Sequence, residues 1–232
     1  MNSTIWPFGS IAIAEHEGAV PSFSGPFRWM SNFVGNVAMH GIPFSSVEAA
    51  FVAAKIDAPT SDAKAWLDGI VASILGDDLT PARADIIIAS CGGMDIGPDD
   101  SKMALTAART ALANLAPGKA KKVGRALPLR NDWESLRDDG LMVKEWTLLT
   151  LVRRKFAADP TLATKLLATG DRLILEGNTW GDRTWGVIDT RAGVEGANRM
   201  GAILMAIREE RGGAGVPGFV PEGMPRYTGR GL

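Results

Sequence analysis

Cysteine and histidine are almost missing from this chain of 232 residues: Cys91 is the one thiol, and His16 and His40 are the two imidazoles. A single cysteine excludes an internal disulfide and a thiolate metal cluster, and it fits a reducing cytosol. Two histidines far apart exclude a His-rich zinc centre, so no metal and no cofactor are expected, a carboxylate magnesium site alone staying open. An excess of charge is missing too. The 25 Lys and Arg are balanced by 26 Asp and Glu, which removes the bulk attraction that coats proteins onto nucleic acid; a nucleic-acid substrate would have to be recognised locally. No apolar run reaches membrane-spanning length, and Met1 to Ala14 lacks the basic start and apolar block of an export signal. A cytoplasmic protein without a membrane partner is the expectation. There is no internal repeat, and no sequence feature sets an oligomeric state.

What is present is an apolar share of 46%, ordinary for a globular protein of this length, so one core is expected. Pro21 to Phe44 reads as turns and short strands, punctuated at Gly25, Gly35 and Gly41. Ser45 or Ser46 caps a first helix, Val47 to Ile56. Ala-rich helices at Ser61 to Ile74 and Ser101 to Leu115 flank Ile86 to Ala89, whose run of isoleucines suggests a strand. Trp133 to Phe156 and Pro160 to Ala168 read as two helices, the second opened by Asp159 and Pro160 and closed near Gly170. Leu173 to Leu175 suggests a short strand. Gly212 to Leu232, rich in Gly and Pro, has no apolar face and reads as an extended tail. The fold class is α+β: a single mainly helical domain with short strands, spanning 21–211 between an N-terminal arm, 1–20, and the tail, 212–232.

Polar chemistry concentrates late in the chain. Leu175 to Asp182 brings two carboxylates, Glu176 and Asp182, beside Trp180, with Trp185 just beyond. Asn198 and Arg199 then stand at the expected start of a last apolar helix, within a turn framed by Gly196 and Gly201. Free amides at a helix start favour an anion, and a forked arginine adds charge-assisted contacts to phosphate. The plainer reading is a capped helix with a surface arginine, and Trp180 to Asp182 reads equally as a tight turn. On the first helix Glu48 and Lys55 lie seven apart, which puts them within roughly 20° of one face and about 10 Å apart along the axis. They can serve one pocket, or be two unrelated charges on a solvated face. Cys91 reads as a small buried residue, having no histidine near it in sequence.

Taken in order, these pieces resemble the NADAR (YbiA-like) superfamily, whose characterised members are N-glycosidases acting on ribosylated bases or ADP-ribose conjugates. The matching pieces are Phe23 to Phe33, Pro43 to Glu48 through Lys55, Lys122 to Arg125 through Trp133 and Glu134, Met142 to Phe156, Leu173 to Asp182, and Asn198 to Gly201 through Arg208. About 57–119 stands outside the resemblance as a family-variable insertion. Ala49, Ala50, Ala53, Ala54 and Thr179 depart from it, standing where members often carry His, Gln or aromatic side chains.

The resemblance implies a hydrolase that cleaves an N-glycosidic bond at C1′ of a ribose. Glu48 would be the carboxylate that stabilises the oxocarbenium-like state or activates water, with Asp182 as the second carboxylate. Lys55 would act as an ammonium or, with a lowered pKa, as a nucleophile passing through a Schiff base; Glu48 nearby opposes the neutral amine and tips the balance toward the electrostatic role. Trp180 and Phe33 would be stacking surfaces, Asn32 a polar selector, and Arg199 a phosphate clamp together with Asn198, Gly201 and the turn at Gly181. The substrate would be an ADP-ribosylated nucleobase or a small phosphorylated ribosyl compound, such as a ribosylaminopyrimidine phosphate of riboflavin synthesis. The alternative is a non-catalytic module that binds ADP-ribose or an NAD-derived ligand.

Overall fold

A computed structural model of the protein describes residues 19–190 and 193–214. Most of the expected arm and of the C-terminal tail lies outside the described residues. The chain divides into two compact units, one of Asn32–Ser135 and one that joins the chain up to Ser31 with Leu136 onward. Among the described residues, short strands are outweighed by helices, an α+β chain. No helix among them is long and apolar enough to cross a membrane.

In the unit 32–135, alternating buried side chains and a two-residue turn make a hairpin of β1 (Val37–Met39) and β2 (Ile42–Phe44), with Val37 opposite Phe44 and Met39 opposite Ile42. His40 and Gly41 both take positive φ, the conformation that tight two-residue hairpins require. Ser46 then caps α1 (Val47–Ala54) by accepting from the Ala49 amide at 3.1 Å. Every α1 residue except Glu48 is buried. The alanines at 49, 50, 53 and 54 are therefore packing residues, small enough for neighbouring helices to lie close on α1.

Those neighbours are α4 (Ser101–Ala113) and α5 (Pro117–Val123), with α2 (Ala63–Leu75) packed on α4 in turn. The segment 57–119 is thus built into this unit. Ser45 donates its backbone amide to Ala113 and its hydroxyl to Leu115, and Arg109 of α4 reaches the Ala53 and Ile56 carbonyls at the end of α1. The strand expected at Ile86 to Ala89 is instead the middle of α3 (Pro81–Ser90). Thr80 accepts from the Arg83 amide with proline at the first helical position, a start signal that outweighs the β-branched run. Ile88 is buried and Ile86 is exposed, as a helix requires.

In the other unit, α6 runs Val143–Ala158, so the helix expected from Trp133 begins ten residues later. Leu136 bridges Met142, Arg137 and Leu141 close a turn, and Gly140 at φ 79° ends any earlier helical run. Asp159 caps α7 (Pro160–Leu167) through the Thr161 and Leu162 amides. Helices α6 and α7 pack with α8 (Arg199–Glu210). Among the described residues, the strand expected at Leu173 to Leu175 is one parallel bridge, Ile174 to Val20, with Val20 donating to the Leu173 carbonyl and accepting from the Leu175 amide. A hairpin of β3 (Ile188–Thr190) and β4 (Gly193–Glu195), absent from the sequence reading, precedes α8.

Candidate active site

The unit 32–135 holds Asn32, Phe33, Glu48 and Lys55. The Glu48 amide donates to the Asn32 carbonyl at 3.0 Å, which ties the segment carrying Asn32 and Phe33 to the first turn of α1. Phe33 leaves its ring substantially exposed. Lys55 closes α1 at its C-cap, and its carbonyl accepts from the Arg130 amide at 2.7 Å. The Lys55 ammonium lies 5.2 Å from the centroid of the Phe51 ring, which is itself packed 5.1 Å from Trp133. Anchoring on both sides holds the root of the lysine while its head stands over an aromatic face.

Glu48 and Lys55 each influence the other's protonation. Burial pushes the Glu48 carboxyl above the ordinary carboxylate range, while Lys121 and Lys55 pull it back. Burial likewise lowers Lys55; Glu48 opposes this, and Lys121 and Arg125 reinforce it. A raised carboxyl beside a lowered amine is the pairing that proton transfer and nucleophilic attack both need. Sequence reasoning missed Lys121 and the role of Arg125. The signal was available in their spacing of four at the end of α5, next to a glycine.

The remaining candidates belong to the other unit. Asp182 accepts from the Thr184 and Trp185 amides through Oδ1, while its own backbone amide and carbonyl are both bound by the Asn178 side chain. It therefore shapes the turn that presents Trp180, which is 65% exposed, and Gly181, whose φ of 85° suits glycine.

Asn198 sits at the start of α8 but does not cap it. In a left-handed conformation, its side chain accepts from the Glu176 amide at 3.0 Å and donates to the Ile174 carbonyl at 2.9 Å. Three of the amides around that start are engaged: Ala197, Asn198 and Met200 donate to the Arg183, Gly186 and Trp185 carbonyls. Glycine at 201 is demanded by packing, since a Cβ would lie 2.2 Å from the Ile174 oxygen. Arg199 pairs with the buried Glu145 at 2.6 Å, and Glu145 also accepts from the Met142 amide at 2.8 Å. A phosphate reaching Arg199 has to share it with that carboxylate.

Lys155, which carried no sequence signal, is fully buried and donates to the Trp29 and Ser31 carbonyls at 2.7 and 2.8 Å, with Met30 at 3.4 Å. Burial lowers its pKa to about 7, with Asp159 opposing.

Fold and side chains thus define an α+β protein with a half-buried carboxylate and lysine that interact with each other and with further cations. Residues 99–210, a little under half of the chain, match the NADAR domain family, the one that its ordered motifs resemble. The matched segment includes Lys121, Arg125, Trp180, Asp182 and Arg199; Asn32, Phe33, Glu48 and Lys55 precede it. A protein of Nostoc punctiforme named an N-glycosidase is 34% identical over 100 residues, 42% of this chain and 57% of the relative. The chain thus matches a little over half the length of that relative. The NMR structure of the Escherichia coli protein YbiA is similar over 90% of this chain and 92% of its own, at 22% identity and a TM-score of 0.49.

Proposed function

We propose that this protein is an N-glycosidase that hydrolyses the C1′ N-glycosidic bond of a ribosylated base, with Glu48 and Lys55 as the reacting pair. The observation that carries the reading is the half-buried Glu48 carboxyl, its pKa raised, interacting with a Lys55 whose pKa is lowered. The NADAR match and the relative's name support it.

Two routes use the same pair. In the direct route Glu48, as carboxylate, takes a proton from water that attacks C1′, and Lys55, as ammonium, stabilises the departing base. In the covalent route the neutral Lys55 amine attacks C1′. The C1′–N bond breaks with its electrons on the base nitrogen, which takes a proton from Glu48. Ring opening gives a Schiff base, and water hydrolyses it to the free sugar, still carrying its phosphate or ADP group, and the Lys55 amine. Desolvation, Lys121 and Arg125 lower the Lys55 pKa against the opposition of Glu48, which eases the covalent route.

Asp182 is proposed as a second carboxylate acting on substrate, Trp180 and Phe33 as faces for a base or sugar, and Asn32 as a polar selector. Gly181, Asn198, Arg199 and Gly201 are proposed to contribute to binding through the turns they build. The proposed substrates are an ADP-ribosylated nucleobase or a riboflavin-pathway ribosylaminopyrimidine phosphate, met in the cytoplasm.

The test is incubation of the full chain with an ADP-ribosylated guanine oligonucleotide, a ribosylaminopyrimidine phosphate, NAD and free ADP-ribose, followed by mass spectrometry. Release of free base from one of the first three is the expected result. Stoichiometric retention of ADP-ribose with no base released from any of them would replace the enzyme by a binding module.

A further inference from the structure

Helix α4 touches α1 at both ends. Ser45, just ahead of the α1 cap, donates its amide to the Ala113 carbonyl at 2.9 Å and its hydroxyl to Leu115 at 3.0 Å. Arg109, one turn back along α4, reaches the other end: its Nε lies 3.3 Å from the Ala53 carbonyl oxygen and a terminal nitrogen 3.5 Å from that of Ile56. Lys55 stands between those two residues as the C-cap, and its own carbonyl accepts from the Arg130 amide at 2.7 Å. The last carbonyls of a helix have no partner within it and carry partial negative charge, so a cation at that end answers both needs. Helix α1 has no basic residue in its last turn. Arg109 supplies that charge from α4. Burial lowers its pKa, with Arg130 adding to the effect and Asp57 opposing it, yet a guanidinium keeps its proton throughout the working pH range.

We infer that Arg109 is a positioning residue for Lys55: by spanning the Ala53 and Ile56 carbonyls it fixes the backbone from which the amine is presented over the Phe51 ring. This rests on the glycosidase reading only for the part that Lys55 plays in the reaction. It gives the segment 57–119 a share in the site through α4. A lysine at 109 keeps the charge but has one nitrogen, whereas the guanidinium fork meets two carbonyls. Without the brace the end of α1 frays and the Lys55 amine gains water. Its pKa then rises toward the ordinary lysine value, while the charges that act on it from Glu48, Lys121 and Arg125 remain.

The experiment follows acetylation of Lys55 by acetic anhydride in the full chain across pH, read by peptide mass spectrometry, with Lys102, exposed on α4, as the internal control. In Arg109→Met the Lys55 midpoint should move up by about one pH unit while that of Lys102 holds, and Arg109→Lys should restore roughly half of the shift. Should Arg109→Met not fold, Arg109→Gln, neutral but able to donate to one carbonyl, carries the same expectation. In turnover kcat should fall about tenfold with KM changed less than about twofold, as for a misplaced reacting group. A Lys55 midpoint unmoved in the neutral variants, whatever their melting temperature, would overturn the inference and leave Arg109 a support of the fold. The two readings fail separately. A moved midpoint in a protein that releases no base supports the brace and sinks the glycosidase reading; base release at the parent's kcat in Arg109→Gln, with the midpoint unmoved, sinks the brace alone.

Discussion

Glu145 and Arg199 meet at 2.6 Å with the carboxylate almost wholly removed from solvent, joining the first turn of α6 to the first turn of α8. Breaking such a pair leaves one buried charge uncompensated, which costs about 3–5 kcal/mol. Arg199→Ala should therefore lower unfolding stability by that order in urea titrations, and Glu145→Met with Arg199→Met together should recover much of the loss. If Arg199 also clamps phosphate, Arg199→Lys should weaken ribose 5-phosphate more than ribose. Equal affinity changes would assign it to the fold alone.

Glu48→Gln removes a charge without removing volume. Turnover should drop about a hundred- to ten-thousandfold while ligand affinity and melting temperature hold, because a group acting on the transition state affects kcat more than ground-state binding. Turnover within a few-fold of the parent would transfer the role to Asp182.

Borohydride separates the two routes at Lys55. Added during turnover, it should reduce the Schiff base and leave a sugar on Lys55, detectable by peptide mass spectrometry and absent in Lys55→Arg. A Lys55→Arg variant with appreciable activity and no trapped adduct in the parent would return the lysine to an electrostatic role.

The pH dependence of stability should report Lys155. Its pKa falls from 10.5 to about 7 on burial, so between those values the unfolded chain holds a proton that the folded chain has released. Stability from this group therefore rises with pH across that window, the cost of burying the ammonium being complete below about 7. Lys155→Met should remove that rise in urea titrations at pH 6, 8 and 9.5. It should also cost about 1–3 kcal/mol for each carbonyl at Trp29 and Ser31 left without a donor. A parallel pH profile in parent and variant would contradict the assignment.

Several elements were legible in the sequence because their signals are local. Ser46 and the Asp159–Pro160 pair announced α1 and α7, and the turn at His40 and Gly41 follows from the glycine beside short alternating strands. Local patterns failed where competing signals met. Four apolar residues at 86–89 look alike in a strand and in a helix, and the cap at Thr80 decided the outcome. The residues from Trp133 to Leu141 have helical composition, yet Gly140 and the Leu136–Met142 bridge hold them in turns.

The site divides in the same way. By itself the sequence placed Glu48 and Lys55 within roughly 20° of one helical face, since a helix repeats every 3.6 residues and a spacing of seven nearly closes two turns, and left open whether they serve one pocket. It also fixed a glycine-rich turn around Trp180 and Asp182. Tertiary structure alone decided that Lys121 and Arg125 bear on Lys55, that Arg199 is spent on Glu145, and that a buried Lys155 holds the carbonyls of Trp29 and Ser31. Each of these depends on which faces of distant helices meet, and on how much water is excluded where they do. Neither quantity is written in the spacing of residues along a chain.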